Sequence, residues 1–358
     1  MQNFVKAIFK CRKGVGWKGS VQKYWQRSIV KMYETIRSIE EGKLPKLVSA
    51  KRITLYERGK KRIIVPIVID DRMIQRVICD ESMLPMMERS LIYDNGASLK
   101  DKGVEFTRKR VMKHLTEAVK EYGTDFYILT YDMKSFFDSI PHAVCRDMLH
   151  KYYSDERIER LIMEIVQSYQ EDKANSYTDS KERAQYLDDL KNNRKTGICL
   201  GSQISQVLAL GVPNPLDHCI KDRCGVRHSI RYMDDGVIIA KTKEELQTLL
   251  DAVREQVRLL GMRINEKKTH IAKSSKGFVF LKIHYYVTKT GHIVRKMAKS
   301  SIIRMRRKLK KFKRLIADGK MTVQDVKNSI QSWMAHAARA DTFHAVKNML
   351  KRYNALYG

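Results

Sequence analysis

Four residues, Tyr232-Met233-Asp234-Asp235, have the types and the spacing to do metal chemistry. His228-Ser229-Ile230-Arg231 precedes them and Gly236-Val237-Ile238-Ile239-Ala240 follows, so the acids sit where a β-hairpin (228–240) turns. Adjacent carboxylates repel each other and gain nothing from burial. A hard divalent cation such as Mg²⁺ gives a fold a reason to pair them. Asp-Asp before Gly is also ordinary turn chemistry, and the tetrapeptide alone leaves both readings open.

A third carboxylate enlarges the set. Asp132 ends the apolar run Tyr127-Ile128-Leu129-Thr130-Tyr131, which reads as a buried strand, and Met133-Lys134-Ser135-Phe136-Phe137 follows. One acid at a strand end and two on a hairpin can converge on two Mg²⁺ ions ~4 Å apart. That arrangement suits in-line phosphoryl displacement, with a 3′-hydroxyl activated at one ion and pyrophosphate held at the other.

The elements that must position these acids are legible in outline. Val21, Trp25, Ile29, Met32, Ile36 and Ile39 recur at helical spacing across Ser20–Glu41. A basic, strand-like tract covers Ile53–Ile69, and a helix is expected over Met73–Glu88, followed by the turn Asp94-Asn95-Gly96. Helical spacing returns from Arg108 to Tyr122. The charged stretch 170–195 reads as an exposed helical insertion or loop. Thr242 and Glu245 form a capping box opening a helix with Leu246, Leu249, Leu250, Val253, Val257 and Leu260 on one face, stopped by Gly261. Strands are expected near Arg263–Ile264 and over Phe278–Val287. From Lys299 to Arg314 nine of sixteen residues are Lys or Arg and none is acidic. Ile302, Met305, Leu309, Phe312 and Ile316 still keep helical spacing there, so the expectation is an amphipathic helix with a basic outer face. Helical stretches Thr322–Ala338 and Thr342–Tyr357 follow.

Composition narrows the partners. The 358 residues carry 70 Lys and Arg against 40 Asp and Glu, a net charge of +30, with 43% hydrophobic residues. Such an excess points to a polyanion, nucleic acid first and a membrane surface second. No apolar run approaches the about 18 residues a membrane helix needs, and no cleavage site follows the basic N-terminus. Six cysteines without a paired framework suit a reducing cytoplasm. Cys219, Cys224 and His228, spaced C-x4-C-x3-H beside His218, offer no fourth zinc ligand, and free thiols in a packed segment are the plainer reading.

Taken in order, Asp132 with Phe136-Phe137, Gly201-x-x-x-Ser205-Gln206 and Tyr232-Met233-Asp234-Asp235 resemble the motif series of reverse transcriptases. Arg62 through Asp71-Arg72-Met73-Ile74-Gln75 resembles the fingers motif of bacterial group II-intron-like enzymes. Leu260 through Thr269 resembles the motif after the catalytic hairpin, and Phe280-Leu281-Lys282 the primer-grip turn. The likeness runs from about Lys51 to the C-terminus. It implies an α+β, right-hand polymerase fold: N-terminal helix and fingers (1–125), a palm of antiparallel sheet packed on helices (126–295), and a basic helical thumb (296–358).

The resemblance also implies roles. Asp132, Asp234 and Asp235, with the Met133 carbonyl, would hold two Mg²⁺, with Mn²⁺ able to substitute. Phe137 would be the steric gate favouring dNTPs, with ordinary core packing as the plainer reading of an aromatic there. Arg62 and Arg72, with Lys60, would meet the triphosphate. Phe136, Gly201, Ser205, Gln206, Tyr232 and Met233 would line the substrate site, and Lys268, unless a mere surface lysine, would protonate pyrophosphate. Many reverse transcriptases carry Gln-Gly and Ser-Pro where this chain has Leu200-Gly201 and Ser205-Gln206. The Leu-Gly…Ser-Gln version resembles diversity-generating retroelement enzymes and defence-associated bacterial and phage relatives, which implies loose base selection. With no sign of an RNase H or endonuclease, the expectation is a cytoplasmic enzyme working on a structured noncoding RNA template, a DNA or RNA primer and dNTPs. A small accessory protein is a further expected partner. Alternatives are an untemplated or protein-primed DNA polymerase of a defence system, and a catalytically idle, RNA-binding maturase-like protein. An RNA-dependent RNA polymerase shares the palm logic, but Phe137 argues against it.

Overall fold

The computed structural model describes residues 1–41, 43, 53–57, 60–168, 180–192 and 194–357. Two compact units, each built from separated stretches of chain, make up the protein.

The first unit comprises residues 1–103, 133–225 and 251–265. Helices Gln2–Arg12, Gly19–Gln26 and Ser28–Glu40 bury Phe4, Ile8, Val21, Tyr24 and Met32 against Ile69 and Met73. The single helix expected over Ser20–Glu41 is therefore two. Arg27 leaves helical geometry (φ −108°, ψ 13°), and its N–H closes the first helix on Tyr24 O. The tract Ile53–Ile69 is a hairpin rather than one strand, with β1 (Ile53–Glu57) antiparallel to β2 (Lys60–Ile64). The next helix starts at Ile69, before the expected Met73, because Asp70 and Asp71 suit the positive end of a helix dipole. It runs to Ile78 and continues through a π-turn, Cys79–Met83, into Leu84–Glu88. Within the charged stretch 170–195, Ser180–Lys191 is helical, while 170–179 and 193 lie outside the described residues.

The second unit comprises residues 104–132, 226–250 and 266–358. Its antiparallel sheet contains β3 (Tyr127–Asp132), β4 (Ser229–Tyr232), β5 (Asp235–Ala240) and β6 (His270–Lys273), in the order β4-β5-β3-β6. Val111, Leu115 and Ala118 of helix Val104–Tyr122 pack on Ile128, Ile230, Val237 and Ile239. A second sheet, β7 (Phe278–Phe280), β8 (Ile283–Val287) and β9 (Ile293–Met297), adds Phe278, Phe280, Ile283 and Tyr285 to the same core. The expected strand at Arg263–Ile264 is only a bridge from Ile264 to Met133, both of the first unit, and β6 starts at His270. Phe278–Val287 is broken at Leu281-Lys282, both at positive φ, which turns the chain back on itself. The Thr242–Glu245 capping box forms, each backbone N–H meeting the other side chain at 3.1–3.2 Å, and opens helix Lys243–Leu259.

Helix Lys299–Ala317 buries Met305 and Leu309 against Val326, Ile330 and Met349 of helices Val323–Ala337 and Phe343–Tyr357. All nine of its cations between 299 and 314 are exposed. Among the described residues no helix is long and apolar enough to cross a membrane.

Candidate active site

Strand register brings the acids together. β3 pairs with β5 so that Asp132 lies directly opposite Asp235, and β4 pairs with β5 so that Tyr232 does too. Met233-Asp234 is thus a two-residue hairpin turn. Carboxylate oxygens of Asp132, Asp234 and Asp235 lie within 4.8 Å of one another. Like charges directly opposite on neighbouring strands destabilise a sheet. Burial and the charges of Asp234 and Asp132 push Asp235 up to about 7, from an ordinary 3.8. Lys268 Nζ donates to Asp132 Oδ2 but does not cancel that excess of negative charge. Burial pulls the Lys268 pKa down, and the bond to Asp132 with the charges around it outweighs this, so the net shift is upward. Three oxygen donors with surplus negative charge fit a hard divalent cation.

Neighbouring groups hold this geometry. Met233 sits in the left-handed region (φ 54°), which costs a non-glycine residue about 1–2 kcal/mol. Its carbonyl accepts from Arg231 Nη1 at 3.0 Å, and that guanidinium is only 1% exposed. A strand residue in an apolar tract, Arg231 carried one sequence clue: a charge where the pattern is hydrophobic. The Asp132 backbone N–H reaches Thr269 Oγ1 at 3.4 Å. The Leu281-Lys282 turn of the second sheet is held similarly, Arg108 Nη2 donating to Leu281 O at 2.8 Å.

Gly236 is opposite Tyr131 across the sheet. A Cβ there would lie 2.0 Å from the ring Cζ of this buried tyrosine, so only glycine fits the strand leaving the turn. Gly236→Ala is expected to cost about 2–3 kcal/mol of stability by overpacking, measured by urea unfolding. A loss under about 0.5 kcal/mol would mean the ring simply swings away.

The first unit carries the remaining expected residues. Phe136 is buried and Phe137 half-buried, ring edge to face at 5.7 Å, and Ile198 N donates to Phe137 O at 2.8 Å. Met133 is buried, and its neighbour Lys134 donates its N–H to Arg263 O at 2.8 Å. Gly201 has φ +113°, and a Cβ there would meet Val65 O at 2.6 Å. Val65 N in turn donates to Leu200 O at 3.2 Å, so the close backbone approach demands the glycine. Ser202 caps helix Gln203–Gly211, whose Ser205 is buried and Gln206 exposed. Gln75 Oε1 accepts from Ser202 Oγ (2.9 Å) and Gln203 N (3.1 Å), tying helix Ile69–Ile78 to this cap. Arg72 is exposed with one bond to Ile67 O at 3.3 Å. Lys60 and Arg62 belong to β2, and their side chains lie outside the described residues. Cys219 is buried and Cys224 exposed, and neither joins a metal-ligating group among the described residues.

The model of the reverse transcriptase (RNA-dependent DNA polymerase) family matches residues 49–285, about two thirds of the chain. The chain belongs to the reverse transcriptase family. Its fold is of the α+β class, the right-hand polymerase fold. The family match includes all three clustered acids, Phe137 and Gly201, and stops within β8. Among solved structures, apo telomerase from Candida tropicalis, truncated from its C-terminal domain, is similar at 13% identity, over 74% of this chain and 60% of that one, TM-score 0.45. Telomerase from Candida albicans in complex with a TWJ fragment of telomeric RNA gives 10% identity, 92% and 61% coverage, TM-score 0.48. The corresponding complex from Candida tropicalis gives 12%, 90%, 57% and 0.43. This reverse transcriptase-family chain spans about 60% of the length of those telomerases. No curated protein matches the sequence.

Proposed function

We infer that the protein is an RNA-directed DNA polymerase that adds dNTPs to a primer 3′-hydroxyl. The observation that carries this reading is the convergence of Asp132, Asp234 and Asp235 at one end of the sheet, in a chain of this family. Mg²⁺ held by these carboxylates, with the Met133 carbonyl, would lower the 3′-hydroxyl pKa and neutralise the leaving pyrophosphate. Lys268, kept protonated by its neighbours, is the general acid for pyrophosphate and must first release Asp132. Phe137 excludes a 2′-hydroxyl, and Arg72 and Arg62 bind the triphosphate. Phe136, Gly201, Ser205, Gln206, Tyr232 and Met233 are the further residues assigned to substrate binding in this reading.

The division into fingers (1–125), palm (126–295) and thumb (296–358) goes with this reading. The exposed cationic face of Lys299–Ala317 then lies on the template–primer backbone, which the net charge of +30 favours. The template is a structured noncoding RNA, in a bacterial or phage retroelement or antiphage defence system. Primer extension on an RNA template tests the core of the reading. Mg²⁺-dependent dNTP incorporation is expected, lost in Asp234→Asn; no product with any primer or template would overturn it.

Leu200 in place of an amide leaves one hydrogen-bond donor fewer beside the nascent pair, so selection should be loose. Leu200→Gln is expected to lower misincorporation opposite template adenine about 10-fold, read by sequencing the cDNA. An unchanged error spectrum would separate fidelity from this position.

A further inference from the structure

Helix Val104–Tyr122 presents His114, Glu117 and Glu121 at spacings of three and four, hence on one face. His228, just before β4, meets that face. The Nδ1 atoms of His114 and His228 are 3.3 Å apart, and Glu117 Oε2 lies 4.0 Å from the first and 3.9 Å from the second. The rings are 4% and 1% exposed. On its far side His228 Nε2 is 3.1 Å from Glu121 Oε2. Donating Nε2–H to that carboxylate leaves Nδ1 as the lone-pair nitrogen of the ring, the atom nearest His114 Nδ1 and Glu117 Oε2.

We propose that His114, Glu117 and His228 form a structural site for one zinc-class divalent ion, with Glu121 orienting His228. Tetrahedral zinc with bonds of 2.0–2.1 Å places two ligand nitrogens about 3.3 Å apart, the spacing of the two imidazoles. The carboxylate needs to close by only about 0.6–0.7 Å, and Glu117 is 41% exposed and able to move. Water completes the fourth position. A carboxylate behind a ligating imidazole is the usual outer support of such sites. Two nitrogens and one oxygen select a zinc-class ion over Mg²⁺, which prefers oxygen donors throughout. Lys113 and Arg227 stand 3.7 Å and 3.3 Å from Glu117 and Glu121, in exposed pairs too weak to compete. The ion would clamp helix Val104–Tyr122 to the start of β4, the strand that runs into the Tyr232–Asp235 turn. The site is independent of the polymerase reading and of its carboxylates.

Titration of the full-length protein with Co²⁺ in excess Mg²⁺, followed by visible absorption, tests this. One Co²⁺ per chain with tetrahedral bands is expected, displaced by one equivalent of Zn²⁺. His114→Gln and His228→Gln should weaken binding at least about 100-fold and Glu121→Gln about 10-fold, whereas Asp234→Asn leaves it unchanged. Circular dichroism reports whether the histidine variants fold. If they do not, Glu117→Gln at its exposed position decides, with about a 10–100-fold loss expected. Absence of tetrahedral bands in the folded wild type, unaltered affinity in the histidine variants or in Glu117→Gln, or loss of binding in Asp234→Asn would overturn the proposal.

Discussion

Asp235→Asn is expected to abolish primer extension, by at least about 10³-fold or ~4 kcal/mol of barrier, and at the same time to stabilise the metal-free protein at pH 8. Both effects come from the register that sets Asp235 opposite Asp132 and beside Asp234. The folded protein holds the Asp235 proton up to about pH 7, whereas the unfolded chain releases it near 3.8. The stability contributed by that extra proton is fully present below 3.8 and is lost as pH rises through 7. At pH 8 the ionised Asp235 therefore costs the metal-free fold a few kcal/mol, which the amide removes. Melting temperature of the wild type in chelator should fall by several degrees between pH 5 and pH 8, with the fall much reduced in Asp235→Asn. Millimolar Mg²⁺ should restore the wild type at pH 8 and leave the variant unmoved. Parallel pH profiles for the two proteins would show that the carboxylates do not repel one another as the geometry requires.

Phe137→Val should raise rNTP incorporation relative to dNTP about 10²-fold, or ~2.7 kcal/mol, the scale on which a pocket rejects an added hydroxyl. Phe137 is half-buried while its neighbour Phe136 is buried, and Ile198 fixes the intervening backbone through the Phe137 carbonyl. Trimming Phe137 thus opens space without emptying the core, whereas Phe136→Val should reduce stability and leave sugar selection alone. The ratio of kcat/KM for dNTP and rNTP on one template is the measurement. An unchanged ratio in a folded Phe137→Val protein would reduce Phe137 to packing.

Long periodic segments were the most legible. The seam Ile302, Met305, Leu309, Phe312 and Ile316 packs as its spacing implies, because a 3.6-residue repeat leaves one face for the core. Boundaries were less so. The break at Arg27 depends on how two helices share one core, and within the strand expected over Phe278–Val287 only the family resemblance marked the turn at Leu281-Lys282, because neither residue type advertises left-handed backbone. β6 and β9 leave little trace in the sequence because their residues alternate poorly between apolar and polar.

Residue type and order alone determined the candidate chemistry: an acid ending a buried strand, two acids on a hairpin, an aromatic five residues past the first, and a cationic surface. These are local properties, written in contiguous stretches. Tertiary structure alone decided that Asp132 faces Asp235, that Arg231 is buried beneath the Met233 carbonyl, and that His228 joins His114 and Glu117 rather than Cys219 and Cys224. Asp132 and Asp235, and likewise His114 and His228, are about a hundred residues apart in the chain. Strand register and helix packing bring each pair together, and local periodicity encodes neither.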